Sequence, residues 1–202
     1  MLVPMRTVNP EEHARKRARI LEAAAQEFAL AGLEGTSTAD ICRRAGIGSG
    51  TLFHYFPTKR DIFHALFSDD LARNAEVCER ALAADDPADG LRQVTEHLMA
   101  DLADPLVPGL MAAALLQINQ DEEFAELVAA DELRIRATLT ELLARMDPSR
   151  LAFAPDRVAS WIQRVADATY LAADEEGFNA AEQLAEFRQL LTWLTGGSLT
   201  TG

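Results

Sequence analysis

Residues 35–63 read GTSTADICRRAGIGSGTLFHYFPTKRDIF, and the fold turns on how this stretch is punctuated. Gly35 closes the segment before it, and Thr36, Ser37 and Thr38 follow with hydroxyls suited to capping a helix. Thr38, directly before Ala39-Asp40-Ile41, is the expected cap of a short helix that Gly46 and Gly48 end after Ala45. A second short helix is expected from Ser49 to Tyr55, until Pro57-Thr58 breaks the chain and Thr58 caps a longer helix starting at Lys59. Ile41, Ala45, Ile47, Leu52 and Phe56 are spaced to share one small core.

Two short helices joined by the tight turn Gly46-Ile47-Gly48 meet the requirements of a helix-turn-helix. The second helix of such a unit lies in the major groove of DNA, so it has to present small polar side chains to base edges. Ser49, Gly50, Thr51 and His54 are residues of that kind. Gly50 lets another backbone come close, and Thr51 offers a hydroxyl to an acceptor and a methyl to thymine. Tyr55, Lys59 and the hydroxyls of Ser37 and Thr38 are placed to reach phosphates, which sets register without reading sequence.

Upstream, Ile20, Leu21, Ala24, Phe28 and Ala31 fall at helical steps from about His13 onward, behind a tail through Glu12 with no periodicity. Arg15, Lys16, Arg17 and Arg19 crowd the start of that helix, where the macrodipole disfavours cations, which points to an anionic partner outside the chain. Downstream, six helices are expected at 59–84, 88–102, 106–118, 121–146 (bent near Asp131), 155–175 and 180–194. Asp85-Asp86-Pro87, Pro105, Pro108, Asp147-Pro148 and Gly177 punctuate them. The 106–118 segment carries almost no polar residues and is expected to be buried on more than one side. No segment alternates as a strand does. The expected fold is all-α, about nine helices: an N-terminal three-helix domain over 1–58, and a helical bundle over 59–202.

Charge divides along the same line. Residues 1–60 hold 9 Lys/Arg against 6 Asp/Glu, and residues 61–202 hold 10 against 26, so the net charge of −13 belongs to the body. A basic head on an acidic body still binds phosphate, because salt screens the body's field beyond about 10 Å. Cys42 and Cys78 stand 36 residues apart without zinc or disulfide spacing. Neither a leader nor a run of ~20 apolar residues is evident, which leads to the expectation of a cytoplasmic protein with no membrane partner.

The stretch from His13 to Leu66 resembles the N-terminal domain of the tetracycline-repressor (TetR) family of bacterial regulators. The matching features are the ending "FALAGLEGTST" of the opening helix, the "ADICRRAGIGSGTLFHYFPTKRDIF" block and the nine-helix layout. They cover about a quarter of the chain with specific motifs; the rest is similar only in layout. The resemblance implies a homodimer built by the last two helices of each subunit and a recognition helix in each of two successive major grooves of a palindromic, double-stranded operator. Repression of transcription, relieved by a small-molecule effector, is the behaviour it implies. On this sequence the base-reading positions are Ser49, Gly50, Thr51 and His54, and the phosphate-contacting ones are Ser37, Thr38, Tyr55 and Lys59. Phe53 departs from the tyrosine common in the family, so it loses a hydroxyl and is expected to pack.

For the body the residues specify a shape and little chemistry. Helices four to eight, rich in Ala, Leu and Met, are suited to enclosing an apolar cavity for a hydrophobic or aromatic effector. Asn74, Asp131 and Thr169 are polar residues on otherwise apolar faces and would orient such a ligand, with Met111 and Trp161 on its walls. Each has a plain structural alternative: backbone hydrogen bonding for Asn74 and Thr169, a helix restart for Asp131, core packing for Met111 and Trp161. An enzyme is the rival class, resting on His97 and Asp101 four residues apart as half a metal site; no third ligand, P-loop, GxGxxG or nucleophile elbow accompanies them. No catalysis, metal or cofactor is therefore expected. A protein-interaction module that has lost its DNA partner is the other rival; it suits the acidic body and not the basic, hydroxyl-rich head.

Overall fold

A computed structural model describes residues 10–197. Among them are nine α-helices and one 3-10 turn, and no strand. In chain order they are α1 (Pro10–Gly35), α2 (Thr38–Ala45), α3 (Ser49–Tyr55), α4 (Lys59–Leu82), α5 (Pro87–Leu98), α6 (Val107–Ile118), α7 (Glu122–Ala144), the 3-10 turn Pro148–Arg150, α8 (Pro155–Leu171) and α9 (Ala180–Leu194). The all-α class holds. The chain divides into two compact units, 1–67 and 68–202, so the first turns of α4 pack with the N-terminal unit and the division falls past the Pro57 break.

Helix ends follow side-chain chemistry. α5, α7 and α9 begin at Asp86, Asp121 and Asn179, whose side chains accept the otherwise unbonded first-turn amides. At α4, Thr58 and Asp61 bond reciprocally: the Asp61 carboxylate accepts the Thr58 amide at 2.8 Å, and the Thr58 hydroxyl accepts the Asp61 amide at 3.1 Å. Four expectations need correcting. α1 begins at Pro10 rather than His13, and Gly32 kinks it at φ 66°, a conformation an L side chain resists. α5 ends at Leu98 and α8 at Leu171, each four residues early, although Met99 and Leu102 beyond α5 remain in the core. α7 runs through Asp131 without a break in helical dihedrals. Residues 1–9 of the expected tail, and 198–202, lie outside the described residues.

In the N-terminal unit Ile20, Ala24 and Phe28 of α1, Ile41 and Ala45 of α2, Leu52 of α3, and Ile62 and Phe63 of α4 are all buried. Phe28 and Phe63 pack edge to face with centroids 5.3 Å apart, a geometry worth ~0.5–1.5 kcal/mol beyond the area buried. Ile47, expected in this core, is only half-buried. In the second unit Val77, Ala81, Leu91, Val94, Ile135, Leu139, Leu142, Val158, Ile162, Phe187 and Leu191 form one cluster. Gly90 of α5 sits where a Cβ would lie 2.4 Å from the Ala81 carbonyl oxygen and 2.7 Å from a Leu142 methyl, so only glycine permits this crossing. α6 is less enclosed than its composition implies: Ala113, Ala114 and Gln117 are buried, whereas Leu116 is 61% exposed.

Candidate nucleic-acid interface

Between α2 and α3 the turn uses Gly46 for its positive φ, whereas Gly48 stands in extended backbone at φ −81°. Gly46 adopts φ 63° and its amide reaches back to the Arg43 carbonyl, while the Ile47 amide bonds the Cys42 carbonyl at 3.0 Å. Arg19 of α1 donates to the Gly46 carbonyl at 3.2 Å, and Arg44 of α2 is held by Glu27 and Gln26 of α1 at 2.6 and 2.7 Å. These bonds fix α2 and the turn on α1, and so aim α3. Three of the four basic residues noted at the start of α1 have internal roles: Arg19 as above, Lys16 in an ion pair with Glu12 at 2.7 Å, and Arg17 over the Phe56 ring at 5.8 Å.

On α3, Leu52 faces the core, and Ser49, Gly50 and His54 are exposed with Thr51 half-buried. Gly50 differs from Gly46, the turn glycine held at a positive φ. Its φ is not positive, and a Cβ added to it would meet no atom within 4 Å. Phe53, expected to pack, is 48% exposed; the helical step that buries Leu52 turns its neighbour outward.

The phosphate-contact candidates are tied into the frame in different ways. Ser37, not Thr38, is the cap of α2: its hydroxyl accepts the Asp40 amide at 3.2 Å, and the Asp40 carboxylate accepts the Ser37 amide at 3.3 Å. The reciprocal partner at Asp40 decides this, because a box needs an acidic or amide side chain three residues past the cap. The Ser37 hydroxyl also donates to the Asp40 carboxylate, which, with Arg43 beside it, holds that carboxyl below the usual range. Thr38 opens the helix and is half-buried. Lys59 donates to the Thr36 carbonyl at 2.9 Å and the Glu34 carbonyl at 3.4 Å, closing the α1–α2 turn onto α4. Thr36 itself is buried, its hydroxyl 2.8 Å from the Gly32 carbonyl across the kink. Thr36, a potential cap by sequence, instead spends its hydroxyl on backbone carbonyls of α1. Tyr55 is half-buried against His13, ring centroids 4.4 Å apart, with His54 edge-on to Tyr55 at 5.5 Å.

The family model for bacterial regulatory proteins of the tetR family matches residues 20–66, the span just described. UidR of Escherichia coli K12, a helix-turn-helix transcriptional regulator, is 30% identical over 193 residues, 91% of this chain and 93% of that one. The chain belongs to the tetR family. A second relative, the helix-turn-helix repressor Rv1474c of Mycobacterium tuberculosis, is 29% identical over 79% of this chain and all of its own length. Among solved structures, FadR of Bacillus subtilis in complex with stearoyl-CoA superposes with a TM-score of 0.68 at 19% identity, over 89% of this chain and 98% of that one. This tetR-family protein is thus a helix-turn-helix transcriptional regulator, and no helix among its described residues is long and apolar enough to cross a membrane.

Within the second unit the structure joins two of the five effector-site candidates. The Asn74 amide on α4 donates to the Asp131 carboxylate on α7 at 2.6 Å. His97 on α5 lies with Nε2 2.8 Å from the Asn74 carbonyl oxygen, so that nitrogen carries the proton. Arg134 holds the other Asp131 oxygen at 3.1 Å. Burial pushes the Asp131 carboxyl up, against the lowering effect of Asn74; burial also lowers His97. His97 thus joins this chain of bonds through Nε2. Asp101 lies beyond the end of its helix, and no group of three metal-ligating side chains occurs among the described residues. Thr169 spends its hydroxyl on the Val165 carbonyl at 2.8 Å, and Met111 is half-buried on α6. Trp161 is 44% exposed on α8, beside a surface hollow of about 250 Å³ that it lines with Asp156, Arg157, Ser160 and Arg164.

Proposed function

We propose that this regulator binds a palindromic operator as a homodimer, represses from it, and is released by a small molecule taken up among the helices of 68–202. Gly50 carries the DNA-binding part of the reading. A helical glycine costs ~0.5–1 kcal/mol relative to alanine, and here neither backbone conformation nor packing requires it. Close approach of a base edge to α3 supplies the missing reason, with Ser49, Thr51 and His54 beside it as readers and Ser37, Thr38, Tyr55 and Lys59 towards the phosphates.

Exposed large apolar groups on and beside the last two helices support the homodimer. Trp161 and Leu171 of α8 are 44% and 53% exposed, and Trp193 of α9 is 60% exposed with Phe153 edge-on to it at 6.0 Å. Aromatic side chains are the ones most enriched in interfaces, and pairing α8 and α9 with a partner's copies covers these four. A palindromic operator of this kind requires two copies of α3 about 34–36 Å apart, one per successive major groove. Trp161 accordingly belongs to the dimer surface, and the effector site to the interior.

In that interior Asn74 is the exchangeable group. An oxygen of an incoming ligand that takes the Asn74 amide from Asp131 loosens the bond between α4 and α7, while Met111, Thr169 and the aliphatic lining receive an apolar or aromatic body. FadR offers a precedent for this fold holding a ligand with a long apolar chain. Coupling of ~1–3 kcal/mol, typical of such switches, lowers operator affinity about 5–150-fold. Fluorescence anisotropy with a labelled bacterial-promoter duplex pool, titrated between 50 and 200 mM salt, tests the DNA-binding core of the proposal. Displaced counterions make affinity fall steeply with salt. Absent or salt-insensitive binding contradicts it.

A further inference from the structure

The N-terminal turns of α1 carry residues that the tetR-family match, which begins at residue 20, does not include. His13, Arg17 and Ile20 are spaced by four and three, on one face of the helix. That face runs along the end of α3. Ile20 is buried in the core, Arg17 lies over the Phe56 ring at 5.8 Å, and His13 lies on the Tyr55 ring at 4.4 Å with an interplanar angle of 34°. His54 completes the cluster, edge-on to Tyr55 at 5.5 Å and to His13 at 6.4 Å. Tyr55 is the last residue of α3, a position at which helices fray.

We propose that His13 is a positioning residue for operator binding: it braces the Tyr55 ring so that the phenol is held ready for a phosphate, and it extends the DNA-binding machinery onto the first turns of α1. The proposal rests on the reading of Tyr55 as a phosphate contact. His13 acts through the face of its ring, so another flat ring of similar size does the same work and an aliphatic side chain does not. Without the brace, Tyr55 samples other rotamers in the free protein, and DNA binding has to restrict it again.

The experiment is a double-mutant cycle on operator affinity, using the full chain and an operator selected with it. Tyr55→Phe keeps the ring and removes the hydroxyl; loss of one hydrogen bond to a charged acceptor lowers affinity about tenfold. His13→Ala is expected to lower affinity severalfold with its melting temperature nearly unchanged, and His13→Phe to restore wild-type affinity. In the Tyr55→Phe background His13→Ala is expected to cost nothing more, since the bond it protects is already gone. Additive losses, or failure of His13→Phe to rescue, overturn the positioning role while leaving Tyr55 as a contact. Unchanged affinity in Tyr55→Phe overturns the phosphate reading of Tyr55 itself, and the brace with it.

Discussion

Replacing Gly50 by alanine separates stability from function in a way the structure makes quantitative. Gly50 is the second residue of α3, its φ is not positive, and a Cβ there touches nothing within 4 Å. Alanine therefore fits without strain, and restricting the unfolded chain stabilises the protein by ~0.4–1 kcal/mol. For a chain of this size that raises the melting temperature by about 1–4 °C. In the proposed complex the same methyl would stand between α3 and the floor of the major groove. If it displaces Ser49 or Thr51 from base edges, the cost is that of one lost base contact, ~1–3 kcal/mol, or about 5–150-fold in operator affinity. Non-specific binding at the same salt depends on phosphates and changes much less. Differential scanning fluorimetry and anisotropy titrations, on selected operator and on scrambled duplex, read both quantities from one preparation. A variant that melts higher and holds its operator as tightly as wild type refutes the assignment of Gly50 to a DNA-facing role.

Gly90→Ala is the opposite case. Its methyl is forced to within 2.4 Å of the Ala81 carbonyl oxygen, so overpacking costs ~1–3 kcal/mol, and thermal denaturation should occur about 2–12 °C lower. Asn74→Ala removes the donor to Asp131 and leaves the proton of His97 without its acceptor, costing ~1–3 kcal/mol. Burial already raises Asp131, so its ionisation costs stability as pH rises through the carboxylate range. Melts at pH 4 and pH 7 should accordingly show the larger penalty at pH 7, and equal penalties contradict the assignment. His97 is lowered by burial, so the folded state resists its protonation and stability is lost as pH falls through the ordinary histidine range. His97→Gln keeps an amide donor for Asn74 and removes the titration; its melting temperature is expected to fall less than wild type between pH 7 and pH 5.5, and parallel profiles would place the titration elsewhere.

The helix-turn-helix was legible because its signals are local. Gly46 and Gly48 mark the turn, Pro57-Thr58 marks the end, and Leu52 and Phe56 keep their helical spacing; the structure places α2 and α3 on those bounds. The choice of Ser37 over Thr38 as cap depended on Asp40 three residues on, a pairing visible in the sequence yet not weighed against the hydroxyl nearest the helix. Lys59 was read as a phosphate contact, and the hold of its ammonium on carbonyls 23 and 25 residues away was not legible, because backbone acceptors leave no mark on a sequence. Asn74 and Asp131 each stood out as polar residues on apolar faces, but their bond spans 57 residues, and nothing in either helix announces the other. Trp161 illustrates a different limit. α8 buries Val158, Ala159 and Ile162 but exposes Trp161 beside Arg157 and Arg164, and an aromatic residue on a helix does not by itself announce which face it joins.

The central claim is that α3 reads DNA sequence. Selection of bound duplexes from a random library, run in parallel with wild type and with Thr51→Ala/His54→Ala, tests it most directly. A palindrome with half-sites one helical turn apart, enriched by wild type and lost or degraded in the double variant, is the predicted result. No enrichment by wild type, or the same palindrome recovered equally well by the double variant, contradicts it.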